Sequence, residues 1–367
     1  MIKLIKKFFM CRWSLLPPQK RDILLYDGII DNLPLYIKRA KYNILYVRGE
    51  EVNIYILLAC FLKLNFSSKK YIKMFIKFSK PKIIITFIDN REQFYTLSKE
   101  NSTPTCFVQF GIRSEITDIF NKKNIINPLN KKKFFVDYML TFNEAIGKKY
   151  KKFIKGKNYA IGSFKNNMWP SKNKTKIDKT IVFVSSYRAN KEKNDTFKND
   201  SKIINYLYNQ SLKNNFKFVV LGCTTKHHQD LEKKFYDNTI KGSYKFFTRQ
   251  KNPYKFLDKY KYIIGIDSTL AIEMLVKGIR SCFFYNRPYK KPTCTRGFGY
   301  MEGLPRSGPN WTLFNQEKKW DKVFKFLLHG TDKEWRKTIN EFGFRVMRYD
   351  PNNTIFLNLI KKFIIIR

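Results

Sequence analysis

The chain has 367 residues, 43% of them apolar, and a formal charge of +43 from 72 Lys+Arg against 29 Asp+Glu. That length supports two separate cores, and that apolar share excludes a disordered chain. Cys11, Cys60, Cys106, Cys223, Cys282 and Cys294 contain no CxxC pair, and His227, His228 and His329 form no HExxH pattern, which speaks for reduced, buried cysteines of a cytosolic protein and against a disulfide framework or a zinc site.

Residues 1–20 open with MIKLIKKFFMCRW. On a helical wheel Ile2, Ile5, Phe9 and Trp13 share one face, with Lys3 and Lys7 off it, so the segment is either an interfacial membrane helix or a tail that frays or packs on the domain. Its basic start resembles a signal peptide but lacks a long apolar core and a small-residue cleavage site. Strands and helices then alternate. Residues 21–26 (RDILLY) predict a strand ending at Asp27-Gly28, and 43–47 (NILYV) one ending at Arg48-Gly49-Glu50. Helical patterns follow through Leu64 and over 69–79. Residues 82–88 (KIIITFI) end at Asp89-Asn90. Residues 105–109 (TCFVQ) lead into Phe110-Gly111-Ile112-Arg113, and 136–142 precede a helix opening near Asn143.

Residues 161–179 are polar, with Pro170 and a lysine run, and predict a linker. The alternation then resumes. Residues 180–184 (TIVFV) end at Ser185-Ser186-Tyr187-Arg188, and 216–221 (FKFVVL) lead to Gly222 and the two adjacent histidines. Residues 244–247 form a short strand. In 261–278, KYIIGIDSTLAIEMLVKG, an apolar strand stops at Asp267-Ser268-Thr269 and a helical pattern runs to Gly278. Residues 281–285 are the last strand. A Gly- and Pro-rich loop and helices from about Gln316 close the chain.

This order predicts an α/β protein with parallel sheets covered on both faces. The expected divisions are 1–20, an N-terminal Rossmann-like domain over 21–165, a linker over 166–179, a C-terminal Rossmann-like domain over 180–315, and C-terminal helices over 316–367. The polar residues gather just past strand ends, where open α/β sheets place their ligand crevice. A helix start that follows a strand also carries unpaired N–H groups and a positive dipole end, so Ser268 and Thr269 either bind a phosphate there or cap the helix. No GxGxxG follows a strand and no GxxxxGK[ST] loop occurs, which argues against a nicotinamide dehydrogenase or a P-loop nucleotidase. Two such halves facing a cleft, with a phosphate site in the second, suggest the GT-B architecture.

Several stretches carry a family likeness: VRGEEVN (47–53), PKIIITFIDN (81–90), FVQFGIRSE (107–115), DYMLTFNEAIGKKY (137–150), IGSFKNN (161–167), IDSTLAIEMLVKG (266–278), and FGY with GPNWT (298–300 and 308–312). In this order, over about residues 21–315, the chain resembles a bacterial family of O-antigen and surface-carbohydrate biosynthesis proteins. The resemblance implies a GT-B-like glycosyltransferase of surface polysaccharide or lipopolysaccharide assembly. More distantly it is similar to Kdo, sialic-acid and glycerol-phosphate transferases. Some of those carry a catalytic histidine in a QHG or WHG turn, where this chain has Phe110. Some carry an HP motif, where this chain has His227-His228 and no proline.

The expected reaction moves a sugar from a nucleotide-activated donor to a growing glycan or lipid-linked glycan. The donor side comprises Ser185, Ser186, Arg188, Ser268, Thr269 and Glu273, the last for the nucleoside. The acceptor side comprises Arg48, Glu50, Asp89, Gln109 and Arg113. The base is Asp27 or Glu115. No DxD-like motif stands near a strand end, so a metal-independent reaction without a cofactor is expected. Alternatives are a sugar-nucleotide epimerase on the same fold and a basic nucleic-acid-binding protein. The second suits dispersed lysines poorly, and the excess of Lys, Asn, Ile and Phe, all spelled with A and T, accounts for part of the charge. The remainder predicts a peripheral protein on the cytoplasmic, anionic face of a bacterial inner membrane. No apolar run nears the ~20 residues of a membrane-spanning helix.

Overall fold

The computed structural model describes residues 11–28, 33–64, 67–97, 102–113, 134–171, 176–188, 195–285, 297–300 and 303–364. The chain divides into two compact units, Met1–Phe110 with Ile126–Phe164 and Asn353–Arg367, and Gly111–Ile125 with Lys165–Asn352.

In the first unit, short strands β1 (Arg12–Ser14) and β4 (Glu51–Asn53) pair with each other. Strands β2 (Ile23–Tyr26), β3 (Tyr42–Leu45), β5 (Ile83–Thr86), β6 (Thr105–Val108), β7 (Phe135–Thr141) and β8 (Lys155–Ala160) form a six-stranded sheet. Its order is β3-β2-β5-β6-β7-β8 and every pairing is parallel. The sequences ILLY and IIIT of β2 and β5 are buried at all positions, as a sheet covered on both faces requires. Helices α1 (Ile54–Phe61), α2 (Ser68–Ser79) and α3 (Glu144–Lys151) begin at Asn53, Ser67 and Asn143, whose side chains accept from Ile56, Lys70 and Ile146 N–H.

Two elements depart from expectation. Trp13 lies on β1 opposite Val52, so it is not part of the helical face expected through Ile2, Ile5, Phe9 and Trp13; residues 1–10 lie outside the described residues. Strand β8 (KGKNYA) has no apolar run, because it is the sheet edge and keeps its lysines toward solvent. Gly156, at φ 157°, lies so close to β7 that a Cβ would sit 2.0 Å from the Val136 carbonyl oxygen.

In the second unit, β9 (Ile177–Val184), β10 (Lys217–Leu221), β11 (Lys245–Phe247), β12 (Tyr260–Gly265), β13 (Arg280–Phe284), β14 (Ser307–Gly308) and β15 (Trp311–Thr312) form one sheet in the order β11-β10-β9-β12-β13-β15-β14. Strands β14 and β15 follow residues 281–285, which were expected to be the last strand, because the Gly- and Pro-rich stretch returns to pair beside β13; among the described strands only the β14–β15 pair is antiparallel. Its helices are α4 (Asp195–Lys213), α5 (Gln229–Thr239), α6 (Pro253–Leu257), α7 (Thr269–Val276), α8 (Glu317–His329) and α9 (Asp332–Thr338). The stretch expected to be a linker is partly built into packing. Asn166 and Asn167 are buried; Asn166 donates to the Glu273 carbonyl at 2.9 Å, and Asn167 accepts from Asp350 N–H at 3.1 Å. The terminal helix α10 (Thr354–Ile360) belongs to the first unit, where Phe356 packs edge-on against Phe164 with ring centroids 4.8 Å apart.

Candidate functional site

Each sheet has one place where the strand order reverses. In the first unit the chain builds from β2 to β3 on one side and from β5 outward on the other. In the second it builds from β9 to β10 and β11 on one side and from β12 to β13 on the other. The loops beyond such adjacent strands run in opposite directions and leave a crevice at the carboxyl edge.

Both crevices hold the same device, a buried aspartate from one strand end and a partly exposed arginine from the neighbouring one. In the first unit Asp27 follows β2 directly. Its side chain is wholly buried, and its backbone is left-handed at φ 66°, a conformation few non-glycine residues adopt. Arg48, beyond β3, donates from Nε to Oδ1 at 2.8 Å and from Nη2 to the Asp27 carbonyl at 3.2 Å. Arg91, beyond β5, brings Nε to 3.4 Å from Oδ2. Glu50 stands 3.8 Å from Arg48 Nε. Both guanidiniums remain over 40% exposed, so each keeps donors toward the crevice. In the second unit Asp267, beyond β12, is buried and Arg188, beyond β9, reaches it at 3.6 Å.

The second crevice also holds the start of α7. Gly265 ends β12, and a Cβ there would lie 2.8 Å from that of Ala271, so glycine lets the helix begin directly over the strand end. Ser268 occupies the N-cap position with extended backbone, yet its hydroxyl caps no helix N–H. Ser268 and Thr269 are half-buried, as is Ser186 across the crevice. The leading N–H groups and the positive helix end therefore face the loop with the Ser268 hydroxyl unspent on capping.

Other expected residues turn inward. Ser185 is buried; its hydroxyl donates to Glu232 Oε1 at 2.5 Å and accepts from Tyr236 at 2.8 Å. Gln109 is buried and accepts from Phe142 N–H at 2.8 Å. Asp89 is buried, with the Tyr150 hydroxyl donating to its carboxylate and the Tyr95 hydroxyl to its carbonyl. These three hold strand-end loops together instead of lining a crevice. Asp27 likewise turns both oxygens to guanidiniums and none to solvent, an arrangement that holds two arginines in place. Glu273 is buried, with Tyr254 donating to Oε2 at 3.0 Å. Arg113 is half-buried, Phe110 is exposed with its N–H 3.4 Å from Asp89 Oδ1, and Glu115 lies outside the described residues. His227 and His228 are exposed on the turn before α5.

Three residues outside the expected set complete the picture. Arg91 stands one position past the stretch PKIIITFIDN and was visible as a charge beyond a strand end. Asp267 was visible as the residue that stops a strand. Glu232 carried no signal, since it is one acid in the polar helix α5. Yet it is fully buried and accepts from Cys223 N–H at 2.9 Å and Thr224 N–H at 3.0 Å as well as from Ser185. It ties the loop after β10 to the loop after β9, and so sets where Ser186 and Arg188 stand. Burial first, and Glu232 second, push the Cys223 thiol up to about 12.

Two units of parallel sheet, each with a strand-order reversal at its carboxyl edge, define an α/β fold of the GT-B type. Solved structures with that fold align along most of the chain. MnaA of S. aureus with UDP matches at TM-score 0.55 and 11% identity, over 94% of this chain and 96% of that one. The UDP-GlcNAc 2-epimerase of Neisseria meningitidis bound to UDP-GlcNAc matches at TM-score 0.53 and 10% identity, over 93% and 99%. The wall teichoic acid polymerase TagF with CDPG matches at TM-score 0.52 and 12% identity, over 95% and 89%. At such identities the likeness establishes the fold. None of the curated proteins matches the chain in sequence. A family model described as "putative O-antigen biosynthesis protein" matches residues 106–364, and the chain belongs to that family. The match starts after the stretches 47–53 and 81–90 and runs beyond the expected limit near residue 315.

Proposed function

We propose that the protein is a glycosyltransferase that moves a sugar from a nucleotide-activated donor to a growing surface glycan or a lipid-linked glycan. The observation that carries this is the second-unit crevice: an α7 N-terminus with the Ser268 hydroxyl unspent on capping, beside Arg188 held by Asp267. Membership of an O-antigen biosynthesis family supports the glycan as the destination.

The donor phosphates sit on the N–H groups at the start of α7, with Ser268, Thr269 and Ser186 as hydroxyl donors and Arg188 as the cation. Glu273, one turn into α7, is buried and accepts from Tyr254, so it braces the helix instead of contacting the nucleoside. The acceptor lies at the first-unit crevice, beside Arg48, Glu50 and Arg91, with the exposed Phe110 ring as a platform for a sugar face, and Arg113 is a further acceptor contact. Asp27 acts as a positioning residue that fixes Arg48 and Arg91. The base is Glu115. It takes the acceptor hydroxyl proton as the new glycosidic bond forms and the bond from the anomeric carbon to the phosphate oxygen breaks. The electron pair leaves on the nucleotide oxyanion, which Arg188 and the helix end stabilise without a metal or cofactor.

A thermal-shift series with CMP-, CDP-, UDP- and GDP-linked compounds tests the donor site, since a ligand bound only by the folded state raises the melting temperature. Product analysis separates the second reading, a sugar-nucleotide epimerase, which the UDP and UDP-GlcNAc complexes among the structural neighbours favour. An epimerase converts the nucleotide-sugar with no acceptor present; a transferase needs the acceptor.

A further inference from the structure

Helix α1, IYILLACF, has no polar face. Ile56 and Cys60 point into the first unit, while Tyr55, Leu58 and Phe61 are exposed and the apolar run continues into Leu62 and Leu64, 82% and 87% exposed. Tyr55, Leu58 and Leu62 recur at i, i+3 and i+7, so they form one outward stripe where a surface helix normally carries charge.

The pairing of β1 with β4 extends this stripe. Trp13 stands opposite Val52, and Asn53, which caps α1, donates to Ser14 Oγ at 3.2 Å and to the Leu16 carbonyl at 2.8 Å. That pins Trp13, Leu15 and Leu16, all exposed, beside the start of α1. The other large apolar residues exposed in the described surface, such as Leu35, Ile177 and Leu212, are scattered singly. A contiguous patch of this kind marks an interaction surface.

Charge identifies what it meets. The sequence from Ile54 to Ile88 contains no Asp or Glu. Lys63, beside the patch, is exposed, and so are Lys69 and Lys77 on α2, the helix packed against α1. A second copy seated there would set lysines against lysines, which disfavours a dimer. An apolar stripe rimmed by lysines fits a bilayer whose headgroups are anionic. No described helix is long and apolar enough to cross a membrane, so the contact is interfacial.

We propose that α1 and residues 13–16 dock the protein on an anionic lipid surface, with the apolar stripe at the headgroup boundary and the lysines on the lipid phosphates. This is independent of the transfer chemistry, and nucleotide-sugar binding is measured on the same samples so that the two can fail separately.

The full-length protein is sedimented with phosphatidylcholine vesicles with or without phosphatidylglycerol. It should pellet with the anionic vesicles at low salt and be released as salt rises. The double variant Leu58→Ser, Leu62→Ser removes only exposed side chains. It should keep its melting temperature and nucleotide-sugar response while binding vesicles about tenfold more weakly or worse. Brominated lipid should quench tryptophan emission in the unsubstituted protein, and Trp13→Phe should abolish that quenching. The proposal is overturned by no binding of the unsubstituted protein to anionic vesicles at low salt, by binding unchanged in the double variant, or by a dimer sensitive to that variant without vesicle binding. Absence of quenching in the unsubstituted protein would do the same even if the double variant failed to fold.

Discussion

Replacing Ser268 with alanine separates a ligand-binding hydroxyl from a helix cap. Ser268 stands at the N-cap of α7 but makes no side-chain cap bond, whereas Thr331, at the N-cap of α9, forms a full capping box with Glu334. Loss of a working cap costs about 1 kcal/mol of stability. Thr331→Ala should therefore lower the unfolding free energy by about that amount, and Ser268→Ala by only a few tenths. Donor affinity should respond in the opposite sense. A hydrogen bond to a charged phosphate contributes about 1.5–3 kcal/mol, so Ser268→Ala should weaken nucleotide-sugar binding about ten- to hundredfold and Thr331→Ala should leave it unchanged. Denaturant unfolding and titration calorimetry on the two variants read both quantities. A Ser268→Ala protein destabilised as much as Thr331→Ala, with donor affinity intact, would show that the serine serves the helix and not the phosphate.

Glu115→Gln should abolish turnover while keeping donor binding, and Asp27→Asn should raise the acceptor KM more than it lowers kcat, because Asp27 positions Arg48 and Arg91; near-normal steady-state kinetics in both variants would remove both residues from the mechanism. Glu232→Gln sets an amide against the N–H groups of Cys223 and Thr224, and should cost about 3 kcal/mol or more in denaturant unfolding; a stability change below about 0.5 kcal/mol would deny that Glu232 ties the two loops. With its thiol pushed from 9.0 up to about 12, the half-buried Cys223 should be alkylated at pH 8 about a thousandfold more slowly than an exposed cysteine, as read by mass spectrometry of the Cys223 peptide; rapid native labelling would contradict the shift. The sign follows from the same shift: the neutral thiol is the form the fold favours, so the stability it carries is present below pH 9 and is lost as pH rises above it.

The strands of the sheet interiors are legible in the sequence because a parallel strand covered on both faces must be apolar almost throughout. ILLY, IIIT, TCFV and TIVFV announce themselves on that ground. Strand β8 is not legible, since an edge strand needs apolar contact on few of its positions and KGKNYA satisfies it through backbone pairing. Nor is β1, where Trp13 fits a helical wheel equally well and only the pairing with β4 decides. For the site, the sequence determines that polar residues stand just past the strand ends, because periodicity locates those ends within a residue or two. It does not determine which of them face a crevice. Ser185 and Ser186 are neighbours of one residue type, and a strand end turns one inward to Glu232 and leaves the other half-buried. Glu232 belongs to a helix that begins only at Gln229, and no local pattern marks it; only the packing of α5 brings its carboxylate under two strand-end loops. The pairing of Asp27 with Arg48 and Arg91, and of Asp267 with Arg188, likewise follows from strand order, which local sequence does not encode. Sheet neighbours are chosen by long-range burial, and that choice alone sets each arginine beside its aspartate.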